Sequence, residues 1–90
     1  MPNEITLAQL TELLRDSAGA DESVDLDGDI LDKTWIELKY DSLAVLQITG
    51  RIEREHRIEV NEDAASLAQT PREFLAVVNE AFANAEAESA

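Results

Sequence analysis

Tyr40-Asp41-Ser42-Leu43-Ala44-Val45-Leu46-Gln47-Ile48-Thr49-Gly50-Arg51-Ile52-Glu53-Arg54-Glu55-His56 reads as one amphipathic helix with a marked start. Asp41 is a good N-cap, which places Ser42 at the first helical position with its hydroxyl in solvent. At about 100° per residue, Val45, Ile48, Thr49, Ile52 and His56 gather on one broad face. Leu43, Leu46 and Gly50 form a second stripe roughly 120° round on the same count. A surface helix needs only one apolar stripe to bury in its own core. The second, beginning beside a helix-terminal Ser, suggests a surface kept for something else.

Upstream, Thr6 opens a first helix, with Gln9 completing a capping box. Leu7, Leu10, Leu13, Leu14 and Ala18 share a face, Arg15 complements the C-terminal dipole, and Gly19 is the stop. From Ala20 to Tyr40 no period is visible. The stretch is acidic, with Val24, Leu26, Ile30, Leu31, Trp35, Ile36 and Leu38 interspersed. A structureless loop that long is suspect in a compact domain. It reads as an ordered crossover with apolar anchors and a helical turn near Asp29–Asp32 or Thr34–Leu38. Downstream, Arg57–Val60 is a short extended connector whose Ile58 and Val60 point the same way, and Glu62–Leu67 forms one or two helical turns. Thr70-Pro71-Arg72-Glu73 starts the last helix, with Thr as N-cap, Pro at N1 and Glu at N3. Phe74, Val77, Val78, Ala81 and Ala85 face inward, with Leu75 and Phe82 at the edges. The tail 86–90 frays. The expected fold is all-α: three main helices and one short helix in a single domain, ordered over about residues 5–84.

Composition narrows the function. The 90 residues carry 20 acidic against 7 basic side chains, a net charge of −13. Nucleic acids and anionic membranes repel such a chain, and its partners carry basic patches. There is no cysteine for a disulfide or a thiolate. No basic-apolar leader and no apolar run of membrane-spanning length is present, which fits a soluble cytoplasmic protein.

Three kinds of chemistry can be weighed. Asp25-x-Asp27-x-Asp29 resembles the start of a calcium loop, but positions six and twelve hold Ile30 and Ile36 in place of Gly and a bidentate acid, so no metal site is expected. The one histidine, His56, lies roughly 20 Å from Ser42 along the helix at 1.5 Å per residue, too far to be its base. Its stripe gives it a half-buried packing role. Nothing singles out a general acid or a phosphate-binding glycine loop, so no catalytic residue is assigned. Ser42 remains. An anion there would be stabilised by free N–H groups and the positive helix end, by about 0.3–1 kcal/mol. At Asp16-Ser17-Ala18, by contrast, the dipole would oppose one.

Asp41-Ser42-Leu43, the acidic charge, the crossover and the helix order together resemble an acyl carrier protein from about Leu7 to Asn79. Gly28-Asp29-Ile30-Leu31-Asp32, Tyr40–Ala44, Gly50–Glu55 and Thr70–Leu75 are similar to the stand-alone carriers of bacterial type II aromatic polyketide synthases. The resemblance implies a four-helix bundle with the second helix as the recognition helix. It implies 4′-phosphopantetheine, from coenzyme A, on the Ser42 hydroxyl, with Asp41 as cap and transferase contact. Malonyl units and the growing polyketide would ride as thioesters. Leu43, Leu46, Gln47, Gly50 and Glu53 would meet partners: phosphopantetheinyl transferase, malonyl transferase, ketosynthase/chain-length factor, ketoreductase and cyclases. The carrier itself would be a non-catalytic monomer. Leu46, Ile58, Leu67 and Val78 could line a cargo cleft or simply pack the core. Carriage of fatty-acid, aryl or aminoacyl cargo stays open, as does an acidic helical interaction module with no prosthetic group.

The sequence departs from that family at three places. Lys39 stands where the family usually has Gly, and His56-Arg57 where it usually has an aromatic residue and Gly. A left-handed Arg57 would cost roughly 1–2 kcal/mol relative to Gly. Lys39 puts a cation beside the Ser42 site, and a core His56 would loosen its helix on protonation.

Overall fold

The computed structural model describes residues 4–18 and 30–89, and of residues 17–18 and 86–89 the backbone only. The acidic Asp25–Asp29 run and Gly19 therefore lie outside the described residues. Among the described residues four helices follow in order: α1 Leu7–Ala18, α2 Ser42–His56, α3 Glu62–Leu67 and α4 Pro71–Ser89. α1 packs on α2, α2 on α3 and α3 on α4.

Each helix starts where side chains can take up orphan N–H groups. At α1 the Thr6 N–H donates to Gln9 Oε1 at 2.9 Å and the Gln9 N–H donates back to Thr6 Oγ1 at 3.2 Å. Asn61 caps α3 by accepting from the Ala64 N–H. Thr70 Oγ1 accepts from the Glu73 N–H at the start of α4, and the Glu73 carboxylate reaches back to the Gln69 N–H.

The core follows the helical period. Leu10, Leu13 and Leu14 of α1, Val45, Ile48 and Ile52 of α2, and Phe74, Val78, Ala81 and Phe82 of α4 are buried, joined by Ile58 and Val60 from the connector. Phe74 is fully buried, so truncating it to Ala would cost about 3–5 kcal/mol. Thr11 and Thr49 are buried polar residues, and each hydroxyl donates at 2.8 Å to the carbonyl four residues back, Leu7 and Val45. Before α1, the Asn79 side chain accepts from the Ile5 N–H at 2.7 Å and donates to the Ile5 carbonyl at 3.2 Å.

From Ile30 onward the crossover is pinned, as its apolar residues required. Ile30, Trp35 and Leu38 enter the core. Arg72 binds this segment twice: its N–H donates to the Leu31 carbonyl, and its guanidinium forms a two-pronged pair with Asp32 at 2.7 and 3.1 Å. Residues 34–38 form one helical turn, boxed at its start by Thr34 and Glu37. Its end is a Schellman closure: the Tyr40 N–H donates to the Trp35 carbonyl and the Lys39 N–H to that of Ile36. Lys39 is left-handed there, with φ 65°. Arg57 ends α2 the same way, at φ 55° and ψ 48°. Both stand where the resembled family usually has Gly, and the cause is now plain: each is the left-handed residue after a helical turn.

Three expectations need correction. His56 is exposed, not half-buried. It meets Phe82 edge to face at 5.1 Å, so the burial on which protonation-driven loosening rested is missing. Phe82 is itself buried, not at an edge. Ile36 is not an anchor but 87% exposed, since within one turn Trp35 and Leu38 share a face that Ile36 leaves.

Candidate functional site

The start of α2 is built by three consecutive devices. The turn at 34–38 buries Trp35 and Leu38, Lys39 reverses the chain, and Tyr40 drops into the core. Asp41 then takes an extended conformation, and its Oδ1 accepts from the Ala44 N–H at 2.9 Å. The Val45 N–H donates to the Asp41 carbonyl, so Ser42 and Leu43 occupy the positions ahead of the first intrahelical bonds. Their N–H groups and the helix dipole make this end favourable to an anion. Ser42 is exposed there at the first helical position, as the sequence indicated.

A cleft of about 440 Å³ opens directly beside it, lined by Ser42, Asp41 and Tyr40, by Val45, Leu46 and Thr49 of α2, by Thr34, Trp35 and Ile36 of the preceding turn, and by Ala65, Ser66, Ala68 and Gln69 around α3. The hydroxyl protons of Thr49 and Ser66 already go to the carbonyls of Val45 and Glu62. Burial pushes the Tyr40 phenol up from its ordinary range, with the Arg15 cation opposing in part. Of the residues considered as cleft lining, only Leu46 serves. Ile58 and Val78 are buried in the core and do not reach the cleft, and Leu67 is 77% exposed.

The second stripe of α2 is on the outside. Leu43 is 61% and Leu46 49% exposed, Gln47 is exposed, and Gly50 is half-buried. A Cβ at Gly50 would sit 3.6 Å from the Arg54 guanidinium, an ordinary contact, so packing does not demand glycine there. Glu53 has an internal task that the sequence did not reveal. Its carboxylate accepts from the Val60 N–H at 3.1 Å, and its carbonyl accepts the closing bonds of α2. Arg51, expected in a solvated face, is half-buried. It pairs with Glu55 at 2.9 Å and with Asp16 of α1 at 3.8 Å, and the paired carboxylates push its basicity up. Trp35 was the least legible contributor: only its large apolar ring within the acidic crossover marked it as an anchor. No group of three or more metal-binding side chains occurs among the described residues.

This geometry has known counterparts. Residues 8–78 match the phosphopantetheine attachment site family. The oxytetracycline polyketide synthase acyl carrier protein of Streptomyces rimosus is 43% identical over 81 residues, covering 90% of this chain and 85% of that protein. The actinorhodin polyketide synthase acyl carrier protein of Streptomyces coelicolor is 35% identical over 85 residues, covering 94% of this chain and 99% of that one. A solution structure of the actinorhodin carrier bearing a 3,5-dioxohexyl triketide mimic superposes with a TM-score of 0.82 at 36% identity, over 94% of this chain and 99% of that chain. Matched in sequence and fold over most of its length, with an exposed serine heading the second helix, this chain belongs to the phosphopantetheine-attachment family, among the acyl carrier proteins of type II polyketide synthases.

Proposed function

We propose that Ser42 is the residue that bears this family's 4′-phosphopantetheine, and that the stripe Leu43, Leu46, Gln47, Gly50 and Glu53 is the face by which the loaded carrier meets its synthase. The observation that carries the assignment is the exposed Ser42 at the capped start of α2, opening onto an apolar cleft. The residues fit the group. A phosphodiester on Ser42 would meet helix N–H groups and the positive dipole end, a gain of about 0.3–1 kcal/mol at a surface. The cleft supplies an apolar wall beside it. When bound, the arm supplies a terminal thiol on which acyl units are held as thioesters.

The protein's own part is to position and present. Asp41 fixes the first turn and offers its second carboxylate oxygen to a basic group on the transferase. Ser42 contributes a hydroxyl and no base, because His56 stands at the other end of the same helix; deprotonation belongs to the transferase. Leu43 and Leu46 offer apolar area to a partner, and Gln47 offers an amide. Tethering raises the effective concentration of cargo at each enzyme in turn. The charge of −13 steers encounters with basic rims. We infer phosphopantetheinyl transferase, malonyl transferase, ketosynthase/chain-length factor, ketoreductase and cyclases as the partners, and a cytoplasmic monomer as the working form.

Loading tests the assignment. Incubation with coenzyme A, magnesium and a promiscuous phosphopantetheinyl transferase should add one phosphopantetheine by intact mass, and Ser42→Ala should abolish it. No adduct, or an adduct that survives the substitution, overturns the assignment.

A further inference from the structure

α3 is only 6 residues long and buries a single one, Ala65. So little apolar surface holds a helix weakly, and its position has to be fixed by specific bonds. Two of those come from one residue outside it. The Trp35 N–H donates to the Gln69 carbonyl, and the Trp35 indole Nε1–H donates to the Ala68 carbonyl, each at 3.0 Å. Ala68 and Gln69 follow α3 directly, and together with Thr34, Trp35 and Ile36 they line the cleft, so the two bonds join the 34–38 turn to the end of α3 at the cleft itself. Trp35 is 8% exposed, and its ring stands T-shaped to Phe74 with centroids 5.8 Å apart, so its direction is set by the core.

We propose that Trp35 is the strut that fixes α3 against the 34–38 turn and thereby sets the width of the cleft beside Ser42. The indole bond is the decisive one. The main-chain bond to Gln69 survives any side chain, whereas only the indole both fills the core against Phe74 and presents a donor to Ala68. With the donor gone, the buried Ala68 carbonyl loses its partner, and α3 gains freedom to move away from α2. Trp35 is thus a positioning residue for whatever chain enters from Ser42, acting through α3 and touching no reacting atom. The strut itself does not depend on Ser42 being the attachment point; its consequence for cargo does.

Hydrogen exchange on the apo protein tests this without loading. In the parent protein the Trp35 indole N–H should be protected and should exchange together with the amides of Ala65 in α3 and Ala68 just after it. An indole that exchanges freely while those amides stay protected overturns the proposal with no variant needed. In Trp35→Phe, which keeps an aromatic ring against Phe74, the α3 amides should exchange about three- to tenfold faster, the range one hydrogen bond supports. Those of Leu10 in α1 and Phe74 in α4 should change less. Equal acceleration throughout would mean that Trp35 only stabilises the whole fold, which also overturns it. An octanoyl thioester on the holo protein should then shift the Val45 and Ala65 methyl resonances differently in parent and variant. Identical shifts would sever the strut from cargo placement, whereas failure to load would count against Ser42 alone.

Discussion

Replacing Arg57 by Gly and by Ala separates backbone strain from charge at the end of α2. Arg57 sits at φ 55° and ψ 48°, and its N–H and that of Ile58 both donate to the Glu53 carbonyl. Those bonds are main-chain and persist in either variant. A side chain in this conformation costs about 1–2 kcal/mol through the clash of Cβ with the following carbonyl. Glycine removes that cost but brings about 0.5–1 kcal/mol of extra unfolded-state freedom. Both substitutions also remove a cation from the negative end of the helix, worth about 0.3–1 kcal/mol. Arg57→Gly should therefore lie near the parent, and Arg57→Ala below it. The charge loss is common to both variants, so their difference isolates the backbone at about 1 kcal/mol in favour of Gly. In a domain of this size that is roughly 4–8 °C in Tm. Thermal melts and urea titrations followed by circular dichroism would measure it. An Arg57→Ala variant as stable as Arg57→Gly, or more so, refutes the reasoning, because strain at a left-handed residue would then not exist. The same pair of substitutions at Lys39, at φ 65°, should give a difference of the same sign.

Three further outcomes follow from the geometry. Gly50→Ala should stabilise the protein by about 0.5–1 kcal/mol through helix propensity, since the new Cβ meets nothing closer than 3.6 Å; a urea midpoint that falls would show a hidden clash. The Arg72 guanidinium holds the Asp32 carboxyl below the usual carboxylate range, so this pair's contribution is complete above that range and disappears as pH falls through the lowered value. The urea-midpoint gap between the parent and Asp32→Asn should accordingly close in acid, and a gap that widens there would contradict the pairing. Encounter rates with a ketosynthase should fall steeply with added salt in stopped-flow measurements, and a flat dependence would remove electrostatic steering from the account.

Most of this fold was legible because its signals are local. The Thr6–Gln9 box, the Asp41 cap, Thr70-Pro71 and the 3.6-residue period each act within a few residues, and α1, α2 and α4 start where those signals stand. The exposed Ser42 and the outward stripe of Leu43 and Leu46 were legible for the same reason. What escaped is decided by distant partners. His56 has the right angle for the core, but burial is decided by what packs over that position, and there it is exposed with a T-shaped contact to Phe82. Phe82, at the margin of its own stripe, is covered by other elements. Glu53 and Trp35 look like a surface acid and a loose anchor until Val60 and Ala68, 7 and 33 residues away, supply their partners. Lys39 and Arg57 showed only as substitutions for a usual Gly. Neither propensity nor period at a single position gives the sign of φ.

Glu53 carries a consequence for how this surface diversifies. It lies on the outward side of α2, yet its carboxylate holds the Val60 N–H and its carbonyl closes the helix. A charge reversal there would leave a backbone donor without its acceptor as well as altering the face, so divergence at this position is coupled to folding. Leu43, Leu46 and Gln47 are exposed and carry no such internal bond among those described. If this stripe is the docking face proposed above, substitutions at those three positions would alter partner contacts at little expense to the fold, whereas one at Glu53 would cost a backbone bond as well.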